Sequence, residues 1–89
     1  MLTFEDVLGK NVRVREGFVQ KGDGIRKVKG VTGIVINGYT AHTINRENPK
    51  DKGRTLTFLI IALDDKSLDD EGTAECTTED VELIIKRTD

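Results

Sequence analysis

The segment Thr55-Leu56-Thr57-Phe58-Leu59-Ile60-Ile61-Ala62-Leu63 constrains the fold more than any other stretch of the chain. It opens on polar–apolar alternation and ends apolar at successive positions, the pattern of a central strand covered on both faces. Such a strand requires neighbours, and the rest of the chain supplies short runs with the same period. Asn11-Val12-Arg13-Val14-Arg15 alternates, with Val12 and Val14 set toward a core and Arg13 and Arg15 toward solvent. Val31 to Tyr39 reads as a second main strand, with Gly33 marking a bulge or a close backbone approach and Asn37-Gly38 a sharp turn near its end. Thr40 to Ile44 suits an extension of the sheet, or a return to it. Ala74-Glu75-Cys76 predicts a short strand, and Val81 to Lys86 a last one with Val81, Leu83 and Ile85 on one face.

The connections are equally marked. Thr3 to Gly9 predicts a helical turn in which Thr3 caps free N–H groups, Asp6 reaches back, and Gly9 takes the left-handed exit. Residues 16–30 are rich in glycine and lysine, and Asp23-Gly24 signals a turn. The segment is therefore expected to form a ragged hairpin with Val19, Ile25 and Val28 part-buried. Residues 45–54 make a polar loop around Pro49, residues 64–72 an acidic loop, and Thr77 to Asp80 a single turn capped by threonine and acidic groups.

Eighty-nine residues fit one domain, 1–89, and bury roughly 60–65% of the unfolded chain's surface, so stability is expected to be modest. There is no Trp, and the aromatics are Phe4, Phe18, Tyr39 and Phe58, which leaves the core to Val, Ile and Leu. Cys76 is alone, so no disulfide forms within the chain, and a reducing cytoplasm is the expected compartment. The opening residues lack the basic start and long apolar run of a signal peptide. The longest apolar run, Phe58 to Leu63, falls far short of the roughly 20 residues that span a bilayer.

This layout has about five strands, a long first connection and a one-turn helix before the last strand, and it resembles a small SH3-like barrel. Gly9-Lys10-Asn11-Val12-Arg13-Val14 followed by Gly30-Val31-Thr32-Gly33-Ile34-Val35 is similar to the KOW motif of that superfamily, in which alternating valines lead to a glycine and a second strand. Thr78 to Ile84 resembles the closing turn and strand of such barrels. The connection from Arg15 to Gly30 is longer than a KOW turn, and the chain is slightly acidic. The resemblance implies a binding role, toward RNA or toward other proteins as in ribosomal proteins and transcription elongation factors.

Charge divides the sequence. Residues 1–58 carry 11 Lys or Arg against 6 Asp or Glu, and residues 59–89 carry 3 against 10, so a net charge of −2 hides a basic part and an acidic part. Arg13, Arg15, Lys21, Arg26, Lys27 and Lys29 head the basic part, with Arg46, Lys50, Lys52 and Arg54 in the later loop. Glycines beside these cations allow close approach to phosphates, and Phe18, Tyr39 or His42 would stack on a base. Solubilising loop charge is the plainer explanation. No phosphate loop is encoded, since Gly22-Asp23-Gly24 is followed three residues on by Lys27 and no Gly-Lys-Ser/Thr ending occurs. Asp64, Asp65, Asp69, Asp70 and Glu71 form the densest acidic stretch, which continues to Glu82. Placing Gly72 at the invariant glycine of a calcium loop puts Ser67 at the first ligand and Thr78 where a glutamate is needed, so that pattern fails. The stretch fits a surface for a basic protein or, preferably, a solvated loop with acidic gatekeepers beside the apolar strand.

His42 and Cys76 are the only residues of their type, too few for a zinc site, and they act as a nucleophile pair only if they meet in space. A buried, inert thiol is the expected state of Cys76. Ser67 has no base beside it, and Asp64 and Asp65 lack an evident pocket. The sequence therefore predicts a non-enzymatic module with no metal or cofactor. It is expected to contact nucleic acid or a transcription or ribonucleoprotein assembly through Arg13, Arg15, Lys21, Arg26, Lys27 and Lys29, with Tyr39 or Phe18 stacking. The alternative is an accessory or inhibitory protein-binding module using an edge strand or the acidic face at Asp64, Asp65, Asp69, Asp70 and Glu71. A third reading is a small-molecule sequestering protein whose pocket forms at an oligomer interface, a homodimer included.

Overall fold

Thr3 opens the first helical turn with a complete capping box. Its N–H donates to Asp6 Oδ2 at 2.9 Å, and the Asp6 N–H donates to Thr3 Oγ1 at 3.3 Å, which fixes the single turn α1 (Phe4–Val7). Gly9, at φ +77°, then turns the chain into the sheet. The computed structural model describes residues 2–44, 47, 48, 50 and 52–85. Asn45, Arg46, Pro49 and Asp51 of the expected polar loop lie outside the described residues, as does Lys86 at the expected end of the last strand.

Seven strands follow: β1 (Asn11–Val14), β2 (Gly17–Lys21), β3 (Gly24–Val28), β4 (Val31–Thr43), β5 (Arg54–Leu63), β6 (Thr73–Thr77) and β7 (Val81–Leu83). They form one antiparallel sheet in the order β3-β2-β6-β5-β4-β1-β7. The protein is thus mainly β. The sheet is open, and seven strands replace the expected five because the first connection is itself the hairpin β2–β3. Its turn is Gly22-Asp23, one residue earlier than expected, with Gly22 at φ +61° supplying the backbone conformation that a two-residue hairpin loop demands.

Strand order and chain order together force the sheet to curl. β1 and β2 lie four places apart, about 19 Å in a flat sheet, yet only Arg15 and Glu16 join them. That link reaches about 11 Å, so the sheet bends round until the root of β2 meets the end of β1. The Gly30 N–H donates to the Val14 carbonyl at 2.7 Å, and a Cβ on Gly17 would stand 2.9 Å from Val14 Cγ1. Val12, Val14, Val35, Leu59, Ile61 and Leu63 fill the inside of the curl, with Val19, Ala74, Cys76 and Val81 around them. α1 closes one end, placing Val7 in this core and the Phe4 ring against Gly38.

Two glycines permit these approaches. Gly33, between Val12 and Leu63 in register, leaves no room for a Cβ against the Ala62 carbonyl, as the close-approach reading anticipated. Gly38 leaves space for Phe4. The expected turn at Asn37-Gly38 is instead a bulge, since the β4–β5 pairing shifts by one residue between Val35 and Asn37 and then continues to Thr43. Beyond the Tyr39–Phe58 pair, β4 and β5 run on to Thr43 and Arg54 with no third strand beside them among the described residues, forming a two-stranded arm.

Around the closing strand, a 3-10 turn at Thr78–Asp80 precedes β7 as expected, although Thr77 makes no side-chain cap; its hydroxyl meets Asp80 Oδ2 at 3.3 Å. Val81 and Leu83 share a face as expected, but Ile85 lies beyond the strand and is exposed. No helix among the described residues is long and apolar enough to cross a membrane.

Candidate functional site

In an antiparallel sheet with one covered face, the other face is ordinarily polar. Here it is not. β5, fourth of the seven strands, buries Leu59, Ile61 and Leu63 inward, while Phe58, Ile60 and Ala62 point outward and remain only half-covered. The expectation of a strand covered on both faces is met on one side only: the inner positions are buried and the outer ones are part-exposed. In register with these residues, Tyr39 lies opposite Phe58 and Ile34 opposite Ala62, and Ile36 occupies the bulge. On the other flank Ile60 pairs with Glu75, and Glu75 with Phe18 of β2. Ile25 of β3 shares the face through its partner Gln20 and is 74% exposed, where part-burial was expected. Phe18, Ile34, Ile36 and Tyr39 are also exposed. The result is an apolar band across the outside of the sheet from β3 to β4.

The centre of the band is ordered. The Tyr39 and Phe58 rings stack with centroids 5.3 Å apart and planes 16° from parallel. The Tyr39 hydroxyl donates to Glu75 Oε2 at 3.0 Å. Burial, the hydrogen bond to Glu75 and its charge raise the Tyr39 phenol above its ordinary pKa. Beside Glu75, between the β2–β3 hairpin and residues 69–75, lies a groove of about 370 Å³ lined by Phe18, Gln20, Ile25, Asp70, Glu71 and Glu75 among others.

The expected phosphate-binding cations are scattered. Arg13 and Arg15 both approach Glu82, at 3.5 and 3.7 Å, near one edge of the sheet. Lys27 pairs with Glu16 at 3.3 Å, and Lys21 Nζ donates to the Ser67 carbonyl at 2.9 Å. The side chains of Arg26 and Lys29 make no hydrogen bond or ion pair among the described residues, although Arg26 pairs with Val19 in the sheet. Phe18 and Tyr39, named as stacking residues, do share the outer face. His42 sits on the arm between Thr55 and the Lys52 carbonyl.

The acidic loop is folded against the β2–β3 hairpin. Asp69 is only 7% exposed and accepts from the N–H groups of Gln20 (2.6 Å), Glu71 (2.8 Å) and Thr73 (3.2 Å). Burial alone would raise its carboxyl pKa, but these N–H groups outweigh it and the net shift is downward. Asp70 Oδ2 accepts from the Gly22 N–H at 3.0 Å. Asp64 Oδ2 accepts from the Thr32 hydroxyl at 2.6 Å. Asp65 accepts from the backbone and hydroxyl of Ser67 at the start of a 3-10 turn, Lys66–Leu68, that the sequence reading passed over. Those bonds to Ser67 hold the Asp65 carboxyl below its usual range. Glu71 is exposed at the groove.

Cys76 faces the core opposite Leu59, where burial and the Asp80 charge push its thiol up to about 12, while His42 lies opposite Thr55 on the arm. The two are not brought together. Among the described residues no group of three or more His, Cys, Asp or Glu is placed to hold a metal ion. Phe58, Ile60, Ile34 and Ile36 are surface residues not singled out from the sequence, whereas Glu75 belongs to the acidic stretch expected as an alternative protein-binding face. The signal for those four was the apolar character of consecutive positions in both β4 and β5, which marks two apolar faces where one core needs only one. Comparison with protein-family models, with curated proteins and with solved structures finds no match to this chain.

Proposed function

We propose that the chain is a non-catalytic binding module that docks a protein partner on the outer face of its sheet. The part-exposed apolar band from Phe18 through Ile60 and Phe58 to Tyr39, Ile34 and Ile36 carries this reading. An exposed apolar patch, here interrupted by Glu75 between Ile60 and Phe18, is the usual mark of an interaction surface. The order β7-β1-β4-β5-β6, with β2–β3 inserted as a long first connection, supports an SH3-like layout for the module. The single buried cysteine supports a reducing, cytoplasmic setting.

Nucleic-acid docking through the basic residues is the second reading, favoured by Arg26 and Lys29, whose side chains are unengaged among the described residues. It is the lesser one because four of the six cations are already held within the chain and Glu75 sits in the middle of the aromatic face. Affinity capture with wild-type protein, an Ile34→Asp/Ile36→Asp variant and an Arg26→Glu/Lys29→Glu variant separates the two, with circular dichroism confirming that all three are folded. Protein docking requires that the isoleucine variant lose a partner that nuclease treatment leaves bound, and that the charge variant keep it. The converse pattern, or a partner set insensitive to both variants, would overturn the proposal.

A further inference from the structure

The outer face is not uniform: its β2–β3 end is acidic as well as apolar. The groove there is lined by the apolar Phe18 and Ile25 and by the carboxylates of Asp70, Glu71 and Glu75, while that of Asp69 is taken up by backbone N–H groups. The cations nearest to it are spoken for. Lys27, in register with Phe18, is held by Glu16, and Lys21 is turned to the Ser67 carbonyl. Asp70 is fixed by the Gly22 N–H and Glu75 by the Tyr39 hydroxyl, so two of the three carboxylates are positioned before any ligand arrives.

We propose that this groove seats an arginine side chain carried by an extended segment of a protein partner, a conclusion that rests on reading the outer face as a protein-docking surface. An arginine stem is apolar and would lie along Phe18 and Ile25, while its guanidinium would reach the carboxylates. A planar guanidinium also stacks on an aromatic ring and donates to two carboxylate oxygens at once, neither of which an ammonium does equally well. Charge complementarity selects this occupant: an acidic or phosphorylated segment would meet three carboxylates with no free cation among the described groove residues.

The probes are two terminally blocked peptides, one alternating arginine with leucine and the other citrulline with leucine, titrated into the full-length isotopically labelled chain and followed by amide NMR shifts. The expected result is tighter binding of the arginine peptide, with shifts centred on Phe18, Ile25 and Glu75. A Glu71→Gln/Glu75→Gln variant should lose about twofold to fivefold in affinity per carboxylate for that peptide and nothing for the citrulline peptide. Equal affinity for the two peptides, shifts centred elsewhere, or an unaltered arginine preference in the variant would overturn the inference. Retention of partner loss by Ile34→Asp/Ile36→Asp alongside such a result would leave protein docking standing and remove only the arginine seat. Absence of both effects would remove both.

Discussion

Asp69 joins the start of β6 to the middle of β2 through one carboxylate. Its three backbone donors come from Gln20, Glu71 and Thr73, so one side chain ties the acidic loop to the β2–β3 hairpin, beside the contacts of Asp70 with Gly22 and of Lys21 with Ser67. The lowered pKa of this carboxyl means that the native state gains from its charged form above roughly pH 4. That gain disappears as the pH falls through the lowered value. Asp69→Ala should cost about 2–3 kcal/mol at neutral pH, since part-buried N–H groups lose their acceptor. It should also flatten the acid side of the stability curve. Urea unfolding of both proteins at neutral and acid pH measures this, and parallel curves would refute it. Nothing in the local sequence distinguishes Asp69 from Asp64, Asp65 or Asp70, because its principal donor lies in a strand remote along the chain. Gly33 and Cys76 were more legible, being residues whose size and chemistry restrict them to few environments.

At the scale of elements, the alternation of β1 and the capping box of α1 were readable because both are set by neighbours in sequence. β4 was not. Asn37-Gly38 has the composition of a turn, yet continued pairing with β5 and the fit of Phe4 over Gly38 keep the strand extended, and the bulge takes up the one extra residue. Past that bulge the arm has no third strand to share its hydrogen bonds, and a lone pair of strands is marginally stable in water. Amide hydrogen exchange should therefore be fast at Ala41, His42 and Thr43 and at Thr55 to Thr57, and slow from Leu59 to Leu63. Uniform protection along β5 would show that the arm is covered by something the monomer does not supply.

The molecule as a whole joins what the sequence separates. β1 pairs with β7 as well as β4, and β2 pairs with β6, so segments far apart in sequence lie side by side. The same pairing mixes the basic and acidic parts of the chain: Glu82 faces Arg13 and Arg15, and Glu79 binds Arg54 at 3.0 Å. The division of charge along the sequence therefore does not become a division of charge across the surface. Because loop closure precedes the reward of pairing, refolding should relax in milliseconds to seconds. Stopped-flow dilution from urea, followed by Tyr39 fluorescence, tests this, and a microsecond relaxation would contradict the topology. The two-residue link Arg15-Glu16 has a consequence for partners too. By bending the sheet around its core it makes the outer face convex, closer to a cylinder than to a plane. A flat surface touches a cylinder along a line and gains little area there, whereas a single extended chain can follow the curve and stay in contact along its length.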